Sequence, residues 1–361
     1  MQQKKNTPFA DRLLVWYDQH GRKLPWRKTQ DPYCIWISEI ILQQTRVNQG
    51  YDYYLRFIDR FPTIAQLASA SEDEVLQQWQ GLGYYSRARN LHKTAQLVMS
   101  RFGGVFPSAY EDILSLKGIG SYTAAAIASF AFDLPYAVVD GNVLRVFSRI
   151  YGIADPVDGV QGRKKIEQIA SESISPSRPA DYNQAIMDFG ATLCTPKQAR
   201  CADCPFGDVC QAYATNRVEV LPVKAGKTKV RSRYFNYVYM VENRQYTYLQ
   251  KRGTNDIWQG LYQFPLIETA DALLTAEELT QHEVFRTWVG NNAYALSPLV
   301  CERKHQLSHQ TIVARFFTVS IEKALPALTA YERVALQQLN AYPVSRLMEW
   351  FLQEEKQAKL F

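Results

Sequence analysis

Two carboxylates in this 361-residue chain stand in settings that push them toward opposite protonation states. Glu39 is the one charged side chain in Ile35-Trp36-Ile37-Ser38-Glu39-Ile40-Ile41-Leu42, an apolar run of helical character that places Trp36, Ile40 and Leu42 within a turn of it. Burial against apolar groups raises a carboxyl pKa toward the range useful to a general acid. The plain alternative is a glutamate on the exposed side of the helix, paired with Arg46 or Lys28. Asp140 stands between the apolar run Ala137 to Val139 and a helix expected from Val143 to Ile150. That is an N-cap position, which favours an ionised carboxylate, although capping alone would also explain the residue. A third group consists of Cys194, Cys201, Cys204 and Cys210, spaced C-x6-C-x2-C-x5-C. No secretory signal precedes them, so the cluster points to a metal site and not to disulfides. The spacing lacks paired zinc knuckles, yet four thiolates suit zinc or an iron-sulfur cluster, and their number does not choose between them. Cys34 and Cys301 read as isolated, packed thiols.

The elements that must hold these groups are helical. Apolar periodicity predicts helices over Phe9 to Asp18, Tyr51 to Arg60, Ala65 to Ala70, Val160 to Glu172 and Tyr182 to Leu193. Ser71-Glu72-Asp73-Glu74 has the spacing of a capping box that opens a helix through Trp79. Gly118 and Gly120, in Leu116-Lys117-Gly118-Ile119-Gly120-Ser121-Tyr122, turn the chain sharply between two helices, a helix-hairpin-helix. Such a hairpin lets backbone N-H groups approach a phosphate without reading sequence. In Gly81-Leu82-Gly83-Tyr84-Tyr85-Ser86-Arg87-Ala88-Arg89, Leu82 and Tyr84 would project from a tight turn beside two arginines, as apolar wedges that kink a duplex do. They could equally be core residues at a helix start.

No strand pattern occurs before residue 230. Beyond it, Phe235 to Val241, Tyr246 to Leu249, Asn292 to Leu296 and Ile312 to Val319 are aromatic and β-branched, with helices expected at Ala276 to Glu283 and Val344 to Glu355. The first part is therefore all-α and the second α+β. Net charge is +6, and its excess falls in residues 216–233, with six basic side chains and one acidic. This stretch reads as a basic linker between domain 1–215 and domain 234–361, lying along a phosphate backbone or merely solvated. The polar start and the lack of any eighteen-residue apolar run lead us to expect a cytoplasmic protein that does not enter membranes.

Taken together, Ser38 to Thr45, Gly81 to Tyr85, the glycine hairpin, Val139-Asp140-Gly141-Asn142-Val143 and the four-cysteine spacing closely resemble the adenine DNA glycosylases of the MutY type, within the endonuclease III superfamily. The resemblance spans residues 9 to 215. It implies a helical module around the hairpin, a second module with a [4Fe-4S] cluster on the four cysteines, and a cleft for double-stranded DNA, bound by a monomer. Where lyase branches of the superfamily carry a lysine nucleophile, two residues after the second hairpin glycine, this chain has Tyr122. A phenol cannot form a Schiff base, which implies a monofunctional enzyme. Lys117 replaces the usual hairpin proline.

By the same resemblance, Glu39 protonates N7 of adenine and then activates water, and Asp140 stabilises or traps the sugar cation. Tyr122 and Asn142 position Asp140 and the water. Arg22, Leu24, Trp26, Arg27 and Gln184 line the pocket for the flipped base, and Gln44 and Tyr84 act as wedges. A buried acid with a second carboxylate beside a sugar suits an oxocarbenium-like path, by analogy with glycoside hydrolysis. Lys251-Arg252 and Ile257 to Pro265 look like the start of a Nudix-type domain without its glutamate-rich catalytic box, which implies binding without hydrolysis. Ser308 and His309 match the family's loop for oxidised guanine, with Leu307 where phenylalanine is usual. The implied substrate is adenine opposite 8-oxoguanine or guanine. Two rival readings are a superfamily glycosylase for another base and a non-enzymatic reader of damaged DNA.

Overall fold

The computed structural model describes residues 8–226, 230–323 and 326–358; Lys227, Thr228 and Lys229 of the basic stretch lie outside the described residues. In chain order the helices before residue 230 are α1 (Phe9–His20), α2 (Pro32–Leu42), α3 (Val47–Arg60), α4 (Ile64–Ser69), α5 (Glu72–Gln78), α6 (Ser86–Phe102), α7 (Tyr110–Ser115), α8 (Ser121–Phe132), α9 (Gly141–Ile150), α10 (Val160–Ser173), α11 (Pro179–Thr192) and α12 (Gln211–Ala214). There follow β1 (Arg231–Glu242), β2 (Tyr246–Lys251), β3 (Tyr262–Gln263), β4 (Leu266–Thr269), α13 (Ala276–Gln281), α14 (Glu283–Val289), β5 (Tyr294–Gln306), β6 (Gln310–Ile321), β7 (Glu332–Ala335) and α15 (Arg346–Ala358). The chain divides into two compact units, Met1–Ser69 with Asn90–Gly226, and Ala70–Arg89 with Lys227–Phe361. Residues 70–89, which the sequence reading placed in the first domain, thus cluster with the second.

In the first unit α8 is the central rod. Its residues Thr123 to Ser129 are all buried. Small side chains on every face let α2, α7 and α11 pack closely around it. The turn before it is the predicted hairpin between α7 and α8. Gly118 has φ +79°, and a Cβ there would stand 2.7 Å from Cβ of Asn90, so both backbone and space require glycine. Thr94 Oγ1 donates to the Lys117 carbonyl at 2.8 Å and ties the turn to α6. Gly120 is the N-cap of α8. The segment entering α9 is pinned by buried Asn183, which donates to the Tyr136 carbonyl and accepts from the Val138 N-H.

The second unit is built on a seven-stranded sheet with the order β3-β2-β1-β6-β5, β4 joining β1 and β7 joining β2. β1 and β6 run parallel, while β5 and β6 form an antiparallel hairpin. Period-2 alternation sends Phe235, Tyr237 and Tyr239 of β1 to one face and Val238 and Met240 to the other. Leu347, Met348 and Phe351 of α15 cover the first face; Phe285 and Trp288 of α14 cover the second. Helices on both faces explain why β1 is apolar from Phe235 to Val241 apart from Asn236. Among the described residues no helix is long and apolar enough to cross a membrane.

Candidate active site

The first unit encloses a cleft of about 1100 Å³, lined by Glu39, Tyr122, Asp140 and Asn142 together with Arg22, Leu24, Trp26, Arg27 and Gln184. Residues from five separate stretches meet here. Glu39 comes from α2, where its neighbours Ile37, Ile40 and Ile41 are buried, and it is itself only 6% exposed. Tyr122 Oη donates to Glu39 Oε2 at 2.9 Å. Burial lifts the Glu39 carboxyl to about 7, against the Tyr122 hydrogen bond and the nearby Arg27 guanidinium, with Asp140 adding to the rise. The exposed, Arg46-paired alternative is not the one observed.

Asp140 is the N-cap of α9, as its position predicts. Oδ1 accepts from the Asn142 and Val143 N-H groups, both at 2.8 Å, and Oδ2 accepts from Asn142 Nδ2 at 2.7 Å. Burial raises this carboxyl above its ordinary value, and the three donated hydrogen bonds oppose the rise. Asn142 therefore holds Asp140 as expected. The Tyr122 hydroxyl hydrogen-bonds Glu39 and reaches Met187 Sδ at 3.5 Å, with Asp140 near enough to act on it through its charge. Asn142 is held in turn by Arg145, whose Nη2 donates to Asn142 Oδ1 at 2.9 Å and to the Gly190 carbonyl at 2.6 Å, while Nε donates to the Cys194 carbonyl at 2.8 Å.

Behind the lining of the cleft stand groups that sequence reasoning missed. Asp188 of α11 has a fully buried side chain that accepts from Arg22 Nη2 at 2.6 Å and from both Nη atoms of Arg27 at 2.8 Å. Burial would lift its carboxyl, but the two arginines outweigh that and hold it below the usual aspartate range. Asp188 thus fixes both guanidinium groups. Gln184 Oε1 accepts from Tyr17 Oη at 2.8 Å. Trp26 packs edge-on against Tyr54 at 5.4 Å and forms an apolar wall with Leu24. Such a cavity can take a planar, polar-edged group, offering it apolar walls and fixed donors beside a carboxyl that carries its proton near neutral pH.

Other candidate residues fall outside the lining of the cleft. Gln44 stands exposed in the turn after α2 at φ +54°. Gly118 and Gly120 form the hairpin. In the second unit Tyr84 is 46% exposed at φ +47°, whereas Leu82 is 8% exposed and packs as a core residue, so only Tyr84 has the form of a wedge. Ser308 and His309 occupy the tip of the β5–β6 hairpin, their side chains 3.1 Å apart.

Cys194, Cys201, Cys204 and Cys210 line one cavity with Ile150, Phe189, Leu193 and Val218. None is in a disulfide. Arg149 braces the surrounding loop, donating to the Thr195 and Leu221 carbonyls and approaching Cys194 Sγ at 3.4 Å. Among the described residues no three His, Cys, Asp or Glu side chains gather as a single-ion site. Four thiols spread around one apolar void are a donor set suited to a cluster.

Comparison with known proteins agrees with this architecture. A family model described as HhH-GPD superfamily base excision DNA repair protein matches residues 37–176, and a NUDIX domain model matches residues 236–354. An adenine DNA glycosylase of Buchnera aphidicola subsp. Baizongia pistaciae is 36% identical over 322 residues, covering 87% of each chain. The adenine DNA glycosylase of Mus musculus is 46% identical over 217 residues, 57% of this chain and 42% of that one. Among solved structures, a thermostable thymine-DNA glycosylase superposes with a TM-score of 0.54 at 29% identity, covering 57% of this chain and 95% of that chain. A non-covalent endonuclease III–DNA complex gives a TM-score of 0.50 at 20% identity, over 57% of this chain and 94% of its own, and so shares the fold. With an extended relative at this identity and a helical repair module followed by a Nudix-like sheet, the chain belongs to the adenine DNA glycosylase family.

Proposed function

We propose that this glycosylase removes adenine paired with 8-oxoguanine or guanine in double-stranded DNA by hydrolysis alone, without cutting the strand. The observation that carries the reading is the pairing of a buried, Tyr122-bonded Glu39 with Asp140, the N-cap of α9, on one cleft. The adenine nucleotide leaves the stack and enters between Leu24, Trp26, Arg22 and Arg27. Glu39 gives its proton to N7, the C1′–N9 bond breaks, and its electron pair stays on the base. Asp140 faces the resulting sugar cation. Water adds to C1′ and its proton returns to the Glu39 carboxylate. No amine takes part, because Tyr122 stands at the start of α8 and its hydroxyl is bound to Glu39. An assay on duplexes with 8-oxoguanine opposite adenine, quenched with and without alkali, tests the reading; strand breaks formed without alkali would refute it.

The pH dependence follows from the same groups. Glu39 acts in its protonated form, so single-turnover excision should decline as pH rises through about 7. Asp140 acts ionised, so an acid limb should appear at a pH above the ordinary aspartate value. A rate that climbs steadily from pH 6 to 9 would exclude Glu39 as the acid.

We assign a [4Fe-4S] cluster to the four cysteines. When bound it would brace the loop around Thr195, and no chemical step passes through it. Purified protein should be brown and carry about four irons. Colourless protein with one zinc would refute the assignment.

Lesion preference is assigned to the Nudix-like domain, through the exposed tip of the β5–β6 hairpin. Replacing Ser308 and His309 together by alanine should leave adenine removal intact but narrow the gap between 8-oxoguanine and guanine by roughly tenfold, the worth of one or two hydrogen bonds. Competition kinetics on the two duplexes read this directly. An unchanged ratio would place lesion reading elsewhere.

A further inference from the structure

Residues 70–89 are fastened to the C-terminal half of the chain by named contacts on both sides of the turn that carries Tyr84. On the α5 side, Asp73 Oδ1 lies 2.5 Å from Lys251 Nζ, and Asp73 Oδ2 accepts from Tyr262 Oη at 3.0 Å. Gln77 donates to the Asn340 carbonyl at 2.9 Å, and Gln80 donates to Glu349 at 2.5 Å. On the α6 side, Arg89 Nη1 donates to the Gln259 main-chain carbonyl at 2.6 Å and Nη2 reaches Gln259 Oε1 at 3.4 Å. Tyr85 Oη donates to the Val344 carbonyl at 3.4 Å. Between these anchors the turn is closed by Trp79 Nε1 and Arg87 Nη2, both donating to the Gly83 carbonyl. Arg87 also lies over the rings of Trp79 and Tyr84, 5.2 and 5.7 Å from their centroids.

We infer that Asp73 and Arg89 are positioning residues through which the C-terminal domain presents Tyr84 to the duplex, so that the lesion-reading hairpin and the wedge belong to one body. The inference rests on the proposed lesion preference. An aromatic ring on an exposed turn with positive φ has little of its own to fix its direction. A wedge is useful only if its orientation is settled before it meets the base step, since ordering a free side chain on binding costs affinity. Here that order comes from flanks tied to β2, β3 and the Trp258–Gly260 segment. The run Ile257 to Pro265 thereby gains a role that nucleotide hydrolysis does not require of it: it offers the carbonyl that holds Arg89 and, through Tyr262, an anchor for Asp73.

Because Arg89 grips a main-chain oxygen, substitution at Gln259 would leave the stronger bond in place, and the test belongs at Arg89. Arg89→Met keeps the apolar stem and removes the donors, and Asp73→Asn removes the charge opposite Lys251. In the full chain, adenine excision opposite 8-oxoguanine and opposite guanine is compared for wild type, the Asp73→Asn/Arg89→Met double variant, Tyr84→Ala, and the triple variant. The double variant should lower the lesion preference about tenfold, the scale of losing charge-assisted hydrogen bonds. It should add nothing in the Tyr84→Ala background, because residues acting through one side chain are not additive. Amide exchange should quicken over residues 80–87 and stay unchanged over 116–124, and Arg89→Met alone gives the same comparison if the double variant folds poorly. Losses that multiply with Tyr84→Ala, or unchanged protection of residues 80–87, would overturn the inference. A wild type without lesion preference would remove the reading on which it rests, while the exchange comparison would still decide the anchoring.

Discussion

Glu39→Gln should lower single-turnover adenine excision by roughly a hundredfold to ten-thousandfold, the usual contribution of a general acid. The substitution is close to isosteric. Tyr122 Oη now donates to Glu39 at 2.9 Å and can donate equally to an amide carbonyl, so α2 and α8 keep their contact. The amide carries no proton for N7, and adenine would have to depart as an anion. Stability should not fall with activity, because a neutral amide replaces an acid whose charged form is penalised by burial. The pH dependence above neutrality should flatten too, since the group that titrates at about 7 is gone. Excision at the wild-type rate, with the wild-type pH profile, would place the proton donor elsewhere.

Asp140→Asn separates charge from shape. Asparagine is as good an N-cap as aspartate, and its Oδ1 can still accept from the Asn142 and Val143 N-H groups. The other branch would turn an NH2 toward Asn142 Nδ2, which now donates to Asp140 Oδ2 at 2.7 Å, and a local reorientation follows. What disappears is the negative charge proposed to face the sugar cation. Electrostatic stabilisation of this kind is worth about 3–4 kcal/mol, so excision should fall on the order of a thousandfold. Melting temperature and duplex affinity should change little by comparison. A variant that retained most of its rate would mean that capping is the whole role of Asp140.

The site was legible where a residue's neighbours in sequence are also its neighbours in space. Glu39 betrays its burial through Trp36, Ile40 and Leu42, and Asp140 its cap through the helix that follows. The bond from Tyr122 to Glu39 joins residues 83 apart, and helical periodicity does not say which turn of α8 faces α2. Asp188 carried the same signal as Glu39, a lone carboxylate in Ala185-Ile186-Met187-Asp188-Phe189-Gly190, and could have been found by it. Leu82 and Tyr84 show the opposite case, because side-chain type alone does not separate a packed leucine from a wedge. In the sheet, β5 runs on to Gln306 past Pro298, where the sequence suggests a stop; a register shift between Leu296 and Val300 absorbs the proline. Strand pairing across the β1–β6 parallel ladder, and the grouping of residues 70–89 with the second unit, depend on contacts too distant in sequence for local patterns to record.

Hydrolysis by Glu39 and Asp140, as proposed, includes no covalent amine step. A single-turnover time course on a duplex with 8-oxoguanine opposite adenine tests it most directly, each time point being split between a neutral quench and an alkaline one, with borohydride in a parallel series. Free adenine and alkali-labile sites should grow together, with an intact strand in the neutral quench and no trapped adduct. Strand cleavage and borohydride trapping at the rate of adenine release would contradict it, and would identify an amine as the nucleophile in place of water.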